Sequence, residues 1–192
     1  MTRTRPYKVL AMSPIPEEGA GCRFRIAQFV PYLRDQGFDV TISSFYTTEF
    51  FRLVYQPGHY VQKALSFLRL YWRRLRELRR LGEYDLVFLY REAVPLGPPM
   101  IERSIARRGI PIVHDFDDAI FLPNVSEANR AFAFLKNPGR VAQIVRRSTH
   151  VVVGNEFLAR YARQFNDAVT IIPTAVDTDR FRPRVETPPG PE

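Results

Sequence analysis

The densest concentration of groups able to do chemistry is the run Val113-His114-Asp115-Phe116-Asp117-Asp118-Ala119. Three carboxylates, Asp115, Asp117 and Asp118, fall within four residues. Like charges so close repel unless arginines, backbone N–H groups, water or a cation compensate them. Asp115-Phe116-Asp117 is formally a D-x-D pair, a pattern that can hold a hard divalent ion beside a diphosphate. His114 has an ordinary pKa near neutrality and can donate or accept a hydrogen bond to a hydroxyl or a phosphate. The same residues can equally serve structure, with an aspartate capping the next helix and the histidine satisfied within a sheet.

Two more stretches carry candidate groups. In Ser13-Pro-Ile-Pro-Glu-Glu-Gly-Ala-Gly-Cys-Arg-Phe-Arg25, Gly19 and Gly21 permit a tight backbone path, and the helix that follows offers free N–H groups to an anion. Arg23 and Arg25 add fixed positive charge. The loop has neither the G-x-G-x-x-G spacing of a dinucleotide site nor the Gly-Lys-Ser/Thr ending of a P-loop, and simple chain reversal is the alternative role for its glycines. Further on, Arg91 and Glu92 in Tyr90-Arg-Glu-Ala can line the same cleft or form structural ion pairs with other loops.

These residues need elements that bring them together. Short β-branched or apolar runs alternate with longer helical patterns, which is the signature of βαβ units. Strands are predicted over Tyr7–Met12, Asp39–Ser44, Asp85–Leu89, Pro111–His114, His150–Val153 and Val169–Ile172. Helices are predicted over Arg23–Gln36, Tyr60–Leu81, Pro98–Arg108, roughly Ser126–Ser148 with a break at Asn137-Pro138-Gly139, and Glu156–Phe165. Gly37 and Gly109 stand where helix C-caps belong. The expected fold is α/β, an open and mostly parallel sheet of about six strands with helices on both faces. Crossover connections place all the carboxyl ends on one edge, where open α/β sheets bind ligands, and the three candidate loops follow the first, third and fourth strands. The chain reads as one domain over residues 1–182 with a proline-rich linker or tail at 183–192.

The helix from Tyr60 carries two parallel stripes. Val61, Leu65, Leu68, Trp72 and Leu75 recur at spacings of four and three, and Arg69, Arg73, Arg76 and Arg80 do the same beside them. The leading expectation is an apolar face packed into the core with solvated arginines. The alternative is a helix lying on an anionic membrane surface with Tyr71 and Trp72 near the interface. No helix-turn-helix pattern accompanies it, so nucleic acid is not an expected partner.

Composition narrows the classes further. The net charge of +8 and pI of about 10.0 favour anionic partners, although the excess is mostly arginine and a GC-rich genome would produce it too. The single cysteine, Cys22, excludes a disulfide framework and a multi-cysteine metal site. The apolar run Val9–Met12 is too short for a signal segment or a bilayer span, so a cytoplasmic protein is expected, in contact at most with the inner face of a membrane.

The stretch Ile171-Ile-Pro-Thr-Ala-Val-Asp-Thr-Asp-Arg-Phe-Arg-Pro183 resembles the "iPnGvDtdrF.P" signature of the retaining GT-B glycosyltransferases of group 1. The glycine-containing loop with Arg23-Phe24-Arg25, the Val113–Phe121 loop, and Val151–Phe165 agree with that family in order and spacing, so the likeness runs from Tyr7 to Pro183. It implies a two-domain enzyme whose N-terminal Rossmann-like half binds the sugar acceptor while the C-terminal half binds a nucleotide-sugar co-substrate. Transfer would retain anomeric configuration, usually without a bound metal, which weighs against the D-x-D reading. By the same likeness Gly19 and Gly21 approach the donor diphosphate or the acceptor, His114 lies near the transferred sugar, and Asp115, Asp117 and Asp118 shape the acceptor side.

Two departures qualify these expectations. Thr174-Ala175 replaces Asn-Gly, and alanine tolerates positive φ less readily. The C-terminal half, with its pair of donor-binding glutamates, is not in this sequence, so no cofactor is expected and the isolated chain is expected to lack transfer activity unless a donor-domain polypeptide joins it. The competing reading is a non-catalytic module that kept the fold to bind a glycan, a lipid-linked sugar or an anionic membrane. A phosphoacceptor domain is disfavoured because Met12-Ser13-Pro14, not an acidic pair, follows the first strand.

Overall fold

Parallel strands buried on both faces must be apolar on both, and the first strand shows how this sequence arranges it. In β1 (Tyr7–Ser13) Leu10 and Met12 enter one core cluster while Val9 and Ala11 enter another on the opposite face. A computed structural model describes residues 5–122, 139–179 and 182. It contains β2 (Phe38–Ser44), β3 (Leu86–Tyr90), β4 (Ile112–Phe116), β5 (His150–Val153) and β6 (Val169–Ile171), in the order β2-β1-β3-β4-β5-β6. Every neighbouring pair is parallel. The winding direction reverses between β1 and β3, which makes the crevice at their carboxyl ends the topological switch point.

Helices cover both faces. On one side α3 (Thr48–Val54), α4 (Tyr60–Glu77) and α5 (Met100–Arg107) close over Leu10, Met12, Val87, Leu89 and Ile112. On the other, α1 (Ala20–Arg25) and α2 (Val30–Asp35) close over Val9, Ala11, Val40 and Tyr90. Beyond β4, α6 (Gly139–Val145) and α7 (Glu156–Ala162) shelter Phe116, Val151 and Val153. Gly37 and Gly109 do turn the chain after α2 and α5 in the left-handed region, with φ of 84° and 71°. Asn155 caps α7, its side-chain oxygen accepting from Leu158 N–H at 3.0 Å.

The helices differ from expectation in two places. The single helix predicted over Arg23–Gln36 is interrupted: Ile26 leaves helical geometry at φ −130°, and a single 3₁₀ turn spans Ala27–Phe29 before α2. Pro31 explains the break, because its ring cannot supply the N–H that a continuous helix would direct back to Ala27. The helix α3 was not predicted at all. The stretch predicted as a helix from Ser126 is described only from Gly139, and the proline-rich tail lies outside the described residues.

The stripe on α4 is also placed differently. Phe67, Leu70, Tyr71, Leu75 and Leu78 face the core, whereas Val61, Leu65, Leu68 and Trp72, expected inside, are 75%, 64%, 53% and 58% exposed. The rotation is fixed by Arg74, which is 1% exposed. Its guanidinium donates to Ala93 O at 3.1 Å, Ser43 O at 3.1 Å, Ser43 Oγ at 2.7 Å and the Glu77 carboxylate at 2.6 Å. Ser43 lies near the end of the edge strand β2 and Ala93 in the loop after β3, and their carbonyls draw Arg74 inward. Replacing it with methionine should leave the half-buried Glu77 carboxylate unpaired and the carbonyls orphaned, and cost on the order of 2–4 kcal/mol in urea unfolding, whereas the exposed Arg76→Met should change stability by less than about 0.5 kcal/mol.

Candidate functional site

Alternation along β4 separates two adjacent candidates. Asp115 and Tyr90, paired across β3 and β4, point toward α1, while His114 points to the opposite face. Arg25, on the last turn of α1, meets Asp115 with both arms of its guanidinium: Nε donates to Oδ2 at 2.9 Å and Nη2 donates to Oδ1. The two side chains are 5% and 1% exposed. Burial pushes the Asp115 carboxyl up from the ordinary range, and the Arg25 contact opposes that shift. The remaining arm of Arg25 donates to Ile172 O at 2.7 Å, and Gln28 donates to Ala175 O at 3.0 Å, so the segment leaving β6 is fastened across α1. Ala175 takes up this path without entering the left-handed region, so no glycine is needed there.

Above this pair lies a second, more open network. Tyr90 donates from its hydroxyl to Asp117 Oδ1 at 2.8 Å, and Arg91 Nη2 reaches Asp117 Oδ1 at 3.3 Å and also the Asp118 carboxylate. The three carboxylates are thus compensated by two arginines, Arg25 beneath and Arg91 above. Asp118 keeps 65% of its side chain exposed, Arg91 26% and Asp117 18%. Among the described residues no three His, Cys, Asp or Glu side chains are grouped so as to hold a metal ion.

Arg91 holds a left-handed backbone, with φ of 56°, at the end of β3. Such a conformation is uncommon for a residue with a β-carbon and costs free energy that its surroundings must repay. Here Arg91 N–H donates to Asp115 O at 2.7 Å and its carbonyl accepts from His114 Nε2 at 2.8 Å. A carbonyl only accepts, so Nε2 carries the proton and Nδ1 is the bare nitrogen, buried without a partner. His114 has no exposed surface and is not itself open to a ligand. Glu92, half-buried, follows Arg91 on the same loop.

The glycines of the first loop permit close packing. Neither Gly19 nor Gly21 uses a positive φ. A β-carbon on Gly21 would overlap the Tyr90 ring, 2.7 Å from Cζ, so Gly21 is what lets Tyr90 stand against α1 and reach Asp117. One on Gly19 would meet Ile15 at 2.8 Å. Arg23 is half-buried, its guanidinium 5.1 Å from the Phe24 ring centre. Of the arginine stripe, Arg73 turns inward to Ser44 O and Phe45 O, Arg80, in the 3₁₀ turn that follows α4, pairs at the surface with Glu83, and Arg69 and Arg76 are exposed.

Sequence reasoning did not single out Tyr90 or Gly154. Gly154 brings the end of β5 against β4, where a β-carbon would stand 3.3 Å from Asp117 Cα. A Gly-Asn pair after an apolar run was the available signal, whereas nothing beside Tyr90 marks its hydroxyl as a partner of Asp117.

An all-parallel α/β sheet with charged side chains gathered at the carboxyl ends of β3 and β4, next to its switch point, defines a Rossmann-like domain. Residues 21–180 match Glycosyltransferase Family 4, and the chain belongs to that family as a GT-B-type domain. No curated protein matches the chain.

The buried His114 makes stability depend on pH. Burial, reinforced by the charge of Arg140 and opposed by the bond to Arg91 O, pushes its pKa from 6.5 down to about 4. Between those values the unfolded chain binds the extra proton and the folded chain does not, so stability is lost as pH falls through this window. Unfolding titrations at pH 7 and pH 4.5 should show a His114-dependent loss of about 2–3 kcal/mol, and His114→Gln should remove that part of the slope.

Proposed function

We propose that the carboxyl edge of this sheet is the acceptor-side wall of a sugar-transfer site, working with a domain that binds the nucleotide-sugar. The observation that supports this reading most is the Tyr90–Asp117–Arg91–Asp118 network at the carboxyl ends of β3 and β4, beside the switch point, which is anchored from below yet offers solvent a carboxylate and a guanidinium. Carboxylates and arginines of this kind are the groups that hold sugar hydroxyls and anionic substituents in a fixed orientation. In transfer, an acceptor hydroxyl oxygen bonds to the anomeric carbon as the bond from that carbon to the diphosphate oxygen breaks, and the hydroxyl proton passes to the departing nucleoside diphosphate, with retention of configuration by family resemblance.

The residues divide the work. Asp118 and Asp117 accept hydrogen bonds from the acceptor, and Arg91, followed in the chain by Glu92, sets the charge of the wall, with Arg23 on α1 as a further cation. His114 acts as a positioning residue through the carbonyl of Arg91. Asp115 and Arg25 hold the floor, and Gly19 and Gly21 let the first loop pack close enough to seat Tyr90. Stabilisation of the leaving diphosphate falls to the donor-binding domain, so this chain alone should not turn over.

The test is transfer from a panel of nucleotide-sugars, read as nucleoside diphosphate released and glycosylated product formed by mass spectrometry. The chain is assayed alone and with the donor domain encoded by the continuing or adjacent reading frame. We expect no turnover alone, turnover in combination, and a loss of about tenfold to a hundredfold with Asp117→Asn, the range for one charge-assisted hydrogen bond. Turnover by the combination that Asp117→Asn leaves unchanged would overturn the assignment of the wall. Glycan binding without turnover in any combination would favour a non-catalytic module.

A further inference from the structure

We propose that the outer face of α4 is a docking surface for an anionic lipid bilayer. The proposal does not depend on the sugar-transfer reading, because it rests on a different part of the molecule.

A helix normally turns its apolar stripe to the core, and α4 has apolar side chains enough for two faces. With Leu70 and Arg74 directed inward, Val61, Leu65, Leu68 and Trp72 are left as a continuous stripe at helical spacing on the solvent side, every one more than half exposed. Tyr55, at the end of α3 and 67% exposed, adds to the apolar surface next to the start of α4. Isolated exposed apolar residues are ordinary, but four aligned over three turns of one helix are a contact surface.

Charge identifies the occupant. From Tyr60 to Arg76 the helix has no carboxylate, and its first acidic residue, Glu77, is engaged by Arg74 and Ser43. Arg69 and Arg76 flank the stripe, are exposed, and have no ion pair with a described residue. An apolar stripe bordered by arginines and an aromatic side chain, without compensating acid, is complementary to a surface that is apolar within and negative at its boundary. The chain's net charge of +8 acts in the same sense at longer range. No helix of the described residues is long and apolar enough to cross a membrane, so the contact lies along the surface.

The molecule provides its own reporter, since Trp72 in the stripe is the sole tryptophan. The experiment titrates the full chain with vesicles of phosphatidylcholine alone and of phosphatidylcholine mixed with phosphatidylglycerol, following Trp72 emission and co-sedimentation. We expect a blue shift and sedimentation with the anionic vesicles only, both weakened by salt. Arg69→Gln with Arg76→Gln should weaken binding about thirtyfold, at roughly one kcal/mol for each arginine near the surface. Leu65→Gln with Leu68→Gln should abolish the blue shift while the circular dichroism spectrum stays native. Absence of shift and sedimentation with anionic vesicles overturns the proposal. A blue shift that follows protein concentration without lipid also overturns it and assigns the stripe to a second copy of the chain.

Discussion

The buried pair of Arg25 and Asp115 is the constraint on which the functional edge depends. A carboxylate that is 1% exposed, at the carboxyl end of a central strand, is tolerable only if a cation meets it with good geometry and its remaining lone pairs are satisfied. Arg25 does this from the first helix of the chain, and its third arm holds the backbone that leaves the last strand. Residues some 150 positions apart in sequence are thereby fixed to one point of the sheet, since Arg25 and Ile172 are separated by 147. The open network of Tyr90, Arg91, Asp117 and Asp118 is built directly on that floor.

Buried arginines fasten backbone elsewhere in the molecule too, above all in the loop after β3. Carbonyls on an edge strand or in a loop have no ladder partner, and in this chain buried arginines complete several of them. Arg74 serves Ser43 O and Ala93 O, and Arg140 serves Gly97 O and Val94 O beside Glu102. Part of the arginine excess is therefore structural, a use of the residue that net charge cannot distinguish from a binding surface. The guanidinium suits it because one planar group can donate to several carbonyls while keeping its charge.

Much of the fold was legible because strand patterns in a parallel sheet are strong and local. All six strands appear within about two residues of expectation, and the two glycine caps fall where the periodic segments end. The unpredicted α3 had its own signals, Thr47 as a cap and Phe50, Leu53 and Val54 at helical spacing, masked by the β-favouring run of Phe, Tyr and Thr around it. The α4 stripe shows the opposite limit. Two apolar faces were available in the sequence, and the carbonyls of Ser43 and Ala93 that Arg74 reaches decide which one turns inward.

The site was legible as a set of loops and not as a division of labour. Placing His114, Asp115, Asp117 and Asp118 at the carboxyl edge followed from the strand pattern, and the repulsion among the carboxylates required compensation. Which cation would compensate which carboxylate depended on α1 crossing β4, a contact across 90 residues with no local trace. Alternation along β4 then sent His114 under the opposite face, where it supports the left-handed Arg91 instead of facing the cleft.

The most direct test of this account is a double-mutant cycle on Arg25 and Asp115, using Arg25→Met, Asp115→Asn and the combined variant, with stability read by chemical unfolding. The account predicts that each single change is strongly destabilising, that the double variant is far less so than their sum, and that the coupling is about 2–3 kcal/mol. Effects that add to within about 0.5 kcal/mol would contradict it, because the floor of the site would then be held by something other than this pair.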